Sequence, residues 1–256
     1  VGGPYTAPTL ADRWILSRLN KTIRDTTASI EGFRFNELAE KLYHFMWDEL
    51  CDWYLEIAKS RINAGQATPK AVLAHCLDVL LRLLHPICPF ITEAIWEKLN
   101  QTCSNRGPGN FDAEPLLIRA AWPMADSNWR DDACEHDFTL LQDLIRQIRN
   151  ARLQHNVPPS ERPEGIIEAE GPLAAMLSDN TELIRTLAGL GKLTLQPKLE
   201  NIPATSAAVT AGGVKLYVLD IIDSEAEKNR LTKQAETLVK GIKGIESKLH
   251  NENFVS

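Results

Sequence analysis

Apolar residues recur at helical spacing through most of the first hundred positions, and this feature restricts the possible folds more than any other. The first stripe consists of Ile15, Leu19, Ile23 and Ile30. A second and longer stripe consists of Phe35, Leu38, Leu42, Phe45, Trp53 and Ile57. Such spacing places side chains on one face of an amphipathic helix. This part of the chain therefore consists of helices that need apolar partners.

Prolines mark the ends of two further helices. Thr68 can cap the third helix, and Pro69 suits its first turn. That helix stops before Pro86, because proline cannot continue the backbone hydrogen-bond ladder, and Pro89 begins a fourth helix. The connections between these helices are short, which predicts an antiparallel helical bundle from about residue 10 to residue 99.

The pattern changes after residue 100. Turn-forming residues predict a loop as far as residue 127, with one short strand near Leu116. A fifth helix follows from about Asp132 to His155. Beyond it the sequence predicts a strand, a helix, a second strand and a β-hairpin, at Gly165–Ala169, Pro172–Leu190, Lys192–Leu195 and residues 207–219. These elements indicate a small α+β module with three or four strands and a helix on one face.

A heptad pattern occupies a final helix that begins near Ser224. Its seam consists of Leu231, Ala235, Leu238, Ile242, Ile245 and Leu249, which are alternately four and three residues apart. Residues 224–250 carry six basic and four acidic side chains, so their net charge is 6 − 4 = +2 in a chain whose net charge is −6. Because the sequence shows no second helix for this seam, we expect residues 231–249 to fray or to self-associate.

Together these patterns predict a mostly α fold with a small α+β module. The length of 256 residues suffices for one large or two modest domains with an appendage. We divide the chain into a helical bundle at residues 1–127, a connecting helix with the small mixed α/β domain at residues 128–223, and a truncated coiled-coil helix at residues 224–256.

Composition and motifs argue against several classes of function. The negative net charge means that any RNA contact requires a local basic patch. The five cysteines form no C-x-x-C pair and the histidines are scattered, which fits a reducing compartment and predicts no metal site. No apolar run reaches the roughly 18 residues of a membrane helix. No phosphate-binding glycine loop or nucleophile motif occurs, so we predict no catalytic residue and no cofactor in this chain.

Basic and aromatic side chains come together near the starts of the first two helices. Arg13, Ser17 and Lys21 are four residues apart and share one helix face. Arg34 and Phe35 open the second helix, and an arginine beside an exposed ring suits RNA loops, where bases stack and phosphates need cations. Phe35 fits the core stripe equally well, and helix arginines often pair with acidic neighbours. The residues alone leave both interpretations open.

Two further basic groups are ambiguous in the same way. The terminal helix carries Lys228, Arg230 and Lys233, which suit either an RNA backbone or the outer face of a coiled coil. Three arginines on the fifth helix repeat every three residues, namely Arg146, Arg149 and Arg152. They can pair either with the neighbouring Asp143 or with RNA, and the sequence does not decide.

Three sequence blocks resemble a known protein family. They are Asp12–Leu19, then Phe33–Asn36 with Trp47 and Cys51–Glu56, and finally Leu84–Glu93 with Trp96. The blocks resemble helices of the anticodon-binding bundle in class I aminoacyl-tRNA ligases for branched aliphatic amino acids. Alone they fit the valine, isoleucine and leucine members of that family.

The remaining sequence narrows this resemblance. Residues 219–231 and 248–255 look like the C-terminal arm of the valine-specific members, and Ile148–Pro159 is similar to their connecting helix. The isoleucine-specific members commonly end in a cysteine-rich zinc module, which this sequence lacks. The alternatives are the same region of an isoleucine or leucine ligase, or, from another class, a helical module that holds a protein partner through its heptad helix.

The resemblance implies that the chain is the tRNA-recognition region of an enzyme that charges tRNA(Val) with valine. The domain that binds ATP and Mg, and the domain that edits mischarged tRNA, would lie upstream, so the chain alone would be non-catalytic. The full-length enzyme would be a cytoplasmic monomer without a membrane segment.

Positions in the matching motifs also imply roles for individual residues. The resemblance assigns anticodon contacts to Arg13, Ser17, Arg18, Arg34 and Phe35. The arginines would bind base edges or phosphates, and Phe35 would offer a stacking surface. The arm is antiparallel in the family and leans on the outer corner of the L-shaped tRNA, and its contacts are assigned to Lys228, Arg230 and Lys233.

Overall fold

The computed structural model describes residues 8–103, 106, 114–222 and 224–249, and the chain forms two compact units. The first unit extends to Leu140 and the second begins at Leu141, so the boundary falls within one long helix. The fold is mostly α with one four-stranded sheet, which confirms the predicted fold class. The three-part division at residues 127 and 223 stays a prediction.

The first unit is built from helices that follow the predicted apolar stripes. They are α1 (Leu10–Glu31), α2 (Phe35–His44), a π-helical segment (Phe45–Leu55), α3 (Glu56–Asn63), α4 (Thr68–Leu84), α5 (Pro89–Thr102) and the first part of α6 (Asp132–Gln154). The core contains the fully buried rings of Tyr54, Trp96 and Phe138. Trp14 stacks on Phe138 with ring centroids 4.0 Å apart, so the start of α6 belongs to the same core as α1.

Two local predictions for this unit are wrong, and one position that the sequence left open is determined. The strand predicted near Leu116 is a 3₁₀ turn, because two of its backbone N–H groups bind the carboxylate of Glu93 instead of a neighbouring strand. Thr68 is the first residue of α4, and the capping position is occupied by Ala67 without a side-chain hydrogen bond. Phe35, although it continues the apolar stripe, is the first residue of α2 and is 59% exposed.

The π-helical segment changes the spacing of buried residues in the second stripe. Phe45 and Leu50 are both buried although five residues separate them, which matches the wider turn of a π-helix. π-Helices are rare, and most occur as single turns within α-helices, frequently at functional sites. A search for apolar residues at a period of 3.6 cannot reveal such a segment.

A buried ion pair holds the start of α1. Thr9 caps the helix and forms a capping box with Asp12. The fully buried Asp12 carboxylate accepts hydrogen bonds from Arg61 at 2.7 and 2.9 Å and from the Tyr54 hydroxyl at 2.6 Å. Burial opposes ionisation, but these hydrogen bonds outweigh it, and the pKa of Asp12 lies below its ordinary value. The network joins α1 to α3 and to the π-helical segment.

A second buried charge cluster joins α4 to the segment after α5. Asp78 accepts hydrogen bonds from Arg82 Nε at 2.6 Å and from Arg106 Nη1 at 3.0 Å. Both guanidinium groups lie over the ring of Trp96, at 4.9 and 4.4 Å from its centroid. Arg106 also donates to the carbonyl of Cys103. The two arginines therefore share one carboxylate and one aromatic ring in the interior.

The second unit contains a four-stranded sheet in the order β2-β1-β4-β3. The strands are β1 (Glu164–Glu168), β2 (Lys192–Gln196), β3 (Ala207–Ala211) and β4 (Val214–Val218). β1 runs parallel to β2 and antiparallel to β4, and β3 and β4 form the predicted hairpin. Two helices, α7 (Gly171–Asp179) and α8 (Thr181–Ala188), replace the single helix predicted for residues 172–190, since Asn180 ends one and precedes the other.

The last element is α9 (Ser224–Leu249), a single helix of 26 residues. Its helical character confirms that part of the prediction, while the coiled coil stays a prediction. Leu238, Val239, Ile242 and Ile245 are 49–62% exposed. In the part of the chain that the structure describes, no helix combines the length and the apolar character needed to cross a membrane.

Candidate nucleic-acid interface

The predicted anticodon residues lie near the two ends of α1 and do not form a single cluster. Arg13, Ser17 and Arg18 are in its first turns, whereas Arg34 and Phe35 come just after its last residue. At a rise of 1.5 Å per residue, about 27 Å of helix separate Arg13 from the end of α1. The two groups would therefore contact different parts of an RNA.

At the start of α1, two of the predicted residues hold neighbouring elements together. The Ser17 hydroxyl, which is buried, donates to Glu135 at 2.5 Å and accepts from the backbone N–H of Asp131 at 3.0 Å. Arg18 binds both carboxylate oxygens of Glu49, at 2.8 and 2.5 Å, and donates to Glu135 at 3.1 Å. The hydrogen bond with Glu49, opposed by desolvation, raises the pKa of Arg18. These contacts connect α1 with α6 and the π-helical segment.

Arg13 has a more open environment than Arg18. Its side chain is 50% exposed, and its guanidinium meets Asp131 at 3.3 Å. Exposed ion pairs of this kind are weak and are easily exchanged for another anion. Arg13 is therefore the residue in this group that can reach a phosphate without disturbing the core.

The other group forms an exposed corner between α1 and α2, at residues 32–35, which we call the α1–α2 corner. Phe33 is 80% exposed and Phe35 is 59% exposed, and their ring centroids are 6.4 Å apart in an edge-to-face arrangement. Between them, Arg34 donates to Glu37 at 3.1 Å and to the carbonyl of Ala28 at 3.2 Å. Exposed rings beside an arginine are the features that favour unstacked bases and their phosphates.

An apolar cleft opens beside the α1–α2 corner, and we call it the corner cleft. Its volume is about 350 Å³, and it is lined by Thr27, Ile30, Glu31, Phe35, Leu38, Pro86, Ile87 and Trp122. The Trp122 indole donates to the Thr27 hydroxyl at 2.9 Å, which fixes the ring in the cleft wall. Glu31 places a carboxylate, which accepts hydrogen bonds, at an otherwise apolar site. The cleft can therefore hold an aromatic ring and bind a donor on its edge.

Sequence reasoning missed three residues of this region. Phe33 occupies the left-handed region with φ 54°, at a position after the helix end that usually carries glycine or asparagine. Ile87 and Trp122 come from the α4–α5 connection and from the segment before α6. No local pattern places these segments beside α1, although the sequence Gly32-Phe33-Arg34-Phe35 does combine a helix terminator with two rings.

A second exposed aromatic pair has the opposite charge environment. Tyr43 and Trp47 are about half exposed, with ring centroids 6.4 Å apart. Between them in sequence, His44 contacts Glu40 at 3.8 Å and Asp48 at 2.6 Å. The hydrogen bond to Asp48 raises the pKa of His44. Because these carboxylates repel RNA phosphates, we do not expect Tyr43 and Trp47 to bind RNA. This aromatic pair therefore serves as a control for RNA binding at the α1–α2 corner.

The three arginines of α6 are explained by contacts within the protein. Arg146 pairs with Asp143 at 3.0 Å. Arg149 donates to the carbonyl of Leu187 at 2.9 Å. Arg152 donates to the carbonyls of Ala188, Gly189 and Glu161 at 2.8, 3.0 and 2.9 Å. Two of the three thus satisfy carbonyl groups at the end of α8, where a helix leaves them without partners.

The predicted arm residues lie on α9. Lys228 and Lys233 are exposed, and the side chain of Arg230 lies outside the described part of the chain. Five residues separate the two lysines, so they point to different sides of the helix. Among the residues that the structure describes, no group of three or more His, Cys, Asp and Glu side chains is arranged to hold a metal ion.

A comparison with known protein families identifies the class to which this helical bundle belongs. The family model described as "Anticodon-binding domain of tRNA ligase" matches residues 12–168, which is more than half of the chain. The chain therefore belongs to this family of anticodon-binding domains.

Several curated relatives of this chain are valine–tRNA ligases, which are one member of that class. The chain is 36% identical over 254 residues to a valine–tRNA ligase of Carboxydothermus hydrogenoformans, 37% over 260 residues to that of Caulobacter vibrioides, and 34% over 254 residues to that of Enterococcus faecalis. These alignments cover 97–99% of this chain and 27–28% of each relative. The chain thus spans about a quarter of the length of the valine–tRNA ligases that it matches.

Proposed function

We propose that this chain recognises the anticodon loop of tRNA(Val) as part of a cytoplasmic valine–tRNA ligase. The observation that carries the proposal is the α1–α2 corner, where two exposed rings flank Arg34 beside the corner cleft. Family membership and the similarity to three valine–tRNA ligases support it. The chemistry that joins valine to tRNA, with ATP and Mg, would belong to the part of such an enzyme that this chain does not match.

At the α1–α2 corner, Phe33 and Phe35 provide stacking surfaces for bases that leave the loop. Arg34 supplies the positive charge for a phosphate or a base edge between them. Glu31 can accept a hydrogen bond from the exocyclic amino group of a base that enters the corner cleft. Stacking tolerates any base, so this acceptor would contribute the selectivity.

The remaining predicted residues have different parts in the proposal. Arg13 would bind a backbone phosphate at the other end of α1. Ser17 and Arg18 would act through their contacts with Glu49 and Glu135, by keeping α1 in place. The arm residues would bind the outer corner of the tRNA through phosphates, and these residues are Lys228, Arg230 and Lys233.

The test compares binding of tRNA(Val) with binding of a copy whose anticodon is changed, each at two salt concentrations. We expect tighter binding of the natural anticodon. In the variant Phe35→Ala, affinity should fall by about 1–3 kcal/mol, which is the contribution of one stacked base. The preference for the natural anticodon should decrease as well, because the corner cleft loses part of its wall.

Tyr43→Ala is the matched control, since Tyr43 is an exposed ring of similar accessibility in an acidic environment. Its affinity should equal that of the parent chain. Equal binding of both tRNAs by the parent would contradict anticodon recognition and favour a helical protein-interaction module. Preference for tRNA(Ile) or tRNA(Leu) over tRNA(Val) would assign the chain to one of the sister enzymes. We expect no ATP–pyrophosphate exchange from the chain alone.

A further inference from the structure

The side chain of Arg34 folds back over the end of α1. Its Nη2 donates to the carbonyl of Ala28 at 3.2 Å, and its Nε donates to Glu37 at 3.1 Å. Nε and Nη2 form an edge of the guanidinium that can bind a carboxylate or a phosphate through two parallel hydrogen bonds. A phosphate that binds this edge must therefore displace both acceptors.

Gly32 leaves space for this position of the Arg34 side chain. A Cβ at residue 32 would overlap the Nη1 atom of Arg34 and would lie 2.9 Å from its Cζ. The backbone of Gly32 has φ −87° and ψ 4°, a conformation that residues other than glycine also adopt. The missing side chain at residue 32 therefore makes room for the guanidinium, whereas the turn itself does not require glycine.

Glu37 has a second cation beside it. The Lys41 amino group lies 3.3 Å from Oε2 of Glu37, the same oxygen that accepts from Arg34, and it also donates to the Ser29 hydroxyl at 2.8 Å. The hydrogen bond from Arg34, followed by that from Lys41, lowers the pKa of Glu37, so this carboxylate is ionised at neutral pH. Because Ser29 holds Lys41 in place, Glu37 would keep a partner if Arg34 moved away.

We propose that Glu37 competes with RNA phosphates for Arg34, so that RNA binding exchanges one anion for another at this guanidinium. The proposal rests on the proposed function of the α1–α2 corner. In the free chain the carboxylate occupies the place of a phosphate, and in the complex Arg34 turns to the RNA while Glu37 stays with Lys41. A phosphate alone then adds little net affinity. The RNA is retained when its bases also stack on Phe33 and Phe35, so Glu37 suppresses the binding of RNAs that offer phosphates only.

The first test is titration of the 256-residue chain and its Glu37→Gln variant with tRNA(Val) at two salt concentrations. We expect the variant to bind about two- to fivefold more tightly at low salt, since an exposed competing charge is removed, and the gain should shrink as salt screens it. The matched control is Glu40→Gln, which removes the same charge from α2 at a residue that contacts His44 instead of Arg34. Its gain should be clearly smaller. Equal gains in the two variants, or weaker binding by Glu37→Gln, would overturn the proposal.

The second test is a double-mutant cycle that asks whether Glu37 acts through Arg34. The affinity gain from Glu37→Gln is measured again in a chain that also carries Arg34→Gln, where no guanidinium is left to release. We expect the gain to shrink towards a ratio of one. An undiminished gain would mean that the carboxylate repels RNA independently of Arg34, which contradicts the proposal.

The parent chain separates failure of this proposal from failure of the proposed function. Equal binding of tRNA(Val) and of the copy with a changed anticodon would overturn the proposed function, and this proposal with it. A parent that prefers the natural anticodon, together with a Glu37→Gln variant that binds no more tightly, would overturn only the competition between Glu37 and phosphate. Thermal unfolding of each variant checks that the α1–α2 corner remains folded.

Discussion

At the scale of single residues, the ionisation of Asp12 makes the stability of the fold depend on pH. Its carboxylate is buried, and the pKa of Asp12 is lower than the ordinary 3.8 despite that burial, because Arg61, Tyr54 and Thr9 donate to it. A lowered carboxyl pKa stabilises the fold above pH 3.8, and this stabilisation is lost as the pH falls through the folded-state value.

The variant Asp12→Asn tests this link. We expect the free energy of unfolding to fall by roughly 3 kcal/mol at neutral pH, since one partner of a buried ion pair is removed. The difference from the parent should shrink in acid, below the ordinary pKa of the carboxyl group. Denaturant titrations at neutral and acid pH measure both effects. Asp48→Asn, at an exposed pair with His44, should leave stability nearly unchanged.

Comparing variants of Arg18 and Arg13 distinguishes a structural role from an RNA-binding role. Arg18→Gln should lower the free energy of unfolding by about 1–3 kcal/mol, because Glu49 and Glu135 lose their shared partner in a partly buried site. Arg13→Gln should leave stability nearly unchanged and weaken tRNA binding. Thermal unfolding and tRNA titration of each variant measure the two effects. Equal stability of the two variants would show that Arg18 does not hold these helices together.

The same residues show how far sequence reasoning reaches. Arg34 and Phe35 could be singled out because an arginine stands beside a ring, and the structure exposes both. The carboxylate partners of Ser17 and Arg18 are distant in sequence. Arg18 binds Glu49, which is 31 positions away, and Ser17 binds Glu135, which is 118 positions away. Helical periodicity describes the face of one helix but carries no information on what lies opposite. Whether these residues contact tRNA stays a prediction.

At the scale of elements, the end of α8 depends on one glycine and one arginine. Gly189 has φ 71° and follows the helix, while the Arg152 guanidinium binds its carbonyl and that of Ala188. The guanidinium also occupies the space where a Cβ at position 189 would stand. A side chain at position 189 would both strain the backbone and displace the Arg152 guanidinium.

Gly189→Ala should therefore lower the free energy of unfolding by about 2 kcal/mol or more, from left-handed strain and lost hydrogen bonds. Gly213→Ala is the control, because Gly213 has φ 81° but open space around the missing Cβ. It should lose only about 1–2 kcal/mol from the backbone. Chemical denaturation measures both. Equal losses would mean that Arg152 moves aside without consequence.

The presence of the helices was easier to predict from the sequence than their internal breaks and changes of turn. The apolar stripes and prolines predict α1, α4, α5 and one long helix where α2, the π-helical segment and α3 lie, because burial of one face determines where helices form. The π-helical segment escaped prediction, since its wider turn does not follow the 3.6-residue period of an α-helix. The division at Asn180 escaped it too, because the apolar pattern continues through the break. A period of 3.6 residues encodes neither feature.

At the scale of the whole molecule, a chain of net charge −6 must bind RNA through small basic regions. The proposal places one such region at the anticodon end and another on α9. The two regions would meet different parts of tRNA, so their contributions should be separable by the length of the RNA.

Replacing all three arm residues by glutamine tests this separation. The variant carries Lys228→Gln, Arg230→Gln and Lys233→Gln. On intact tRNA(Val), the slope of log affinity against log salt should become shallower by about 1–2, since each lost phosphate contact removes about 0.7–0.9 and one face of the helix presents at most two of the three residues. On an isolated anticodon stem–loop, which lacks the outer corner, the variant and the parent should give the same slope. Equal slopes on intact tRNA would remove α9 from the interface.

The backbone conformation of Phe33 matters for engineering the thermostability of this protein. A bulky residue with φ 54° costs about 1–2 kcal/mol relative to one that tolerates this backbone, and its ring is 80% exposed, so burial returns little. Phe33→Asn should therefore raise the melting temperature while weakening the binding of tRNA(Val). A library screened only for heat resistance would enrich changes at this position and discard the ring. Position 33 is thus one where thermostability and RNA recognition should be selected together.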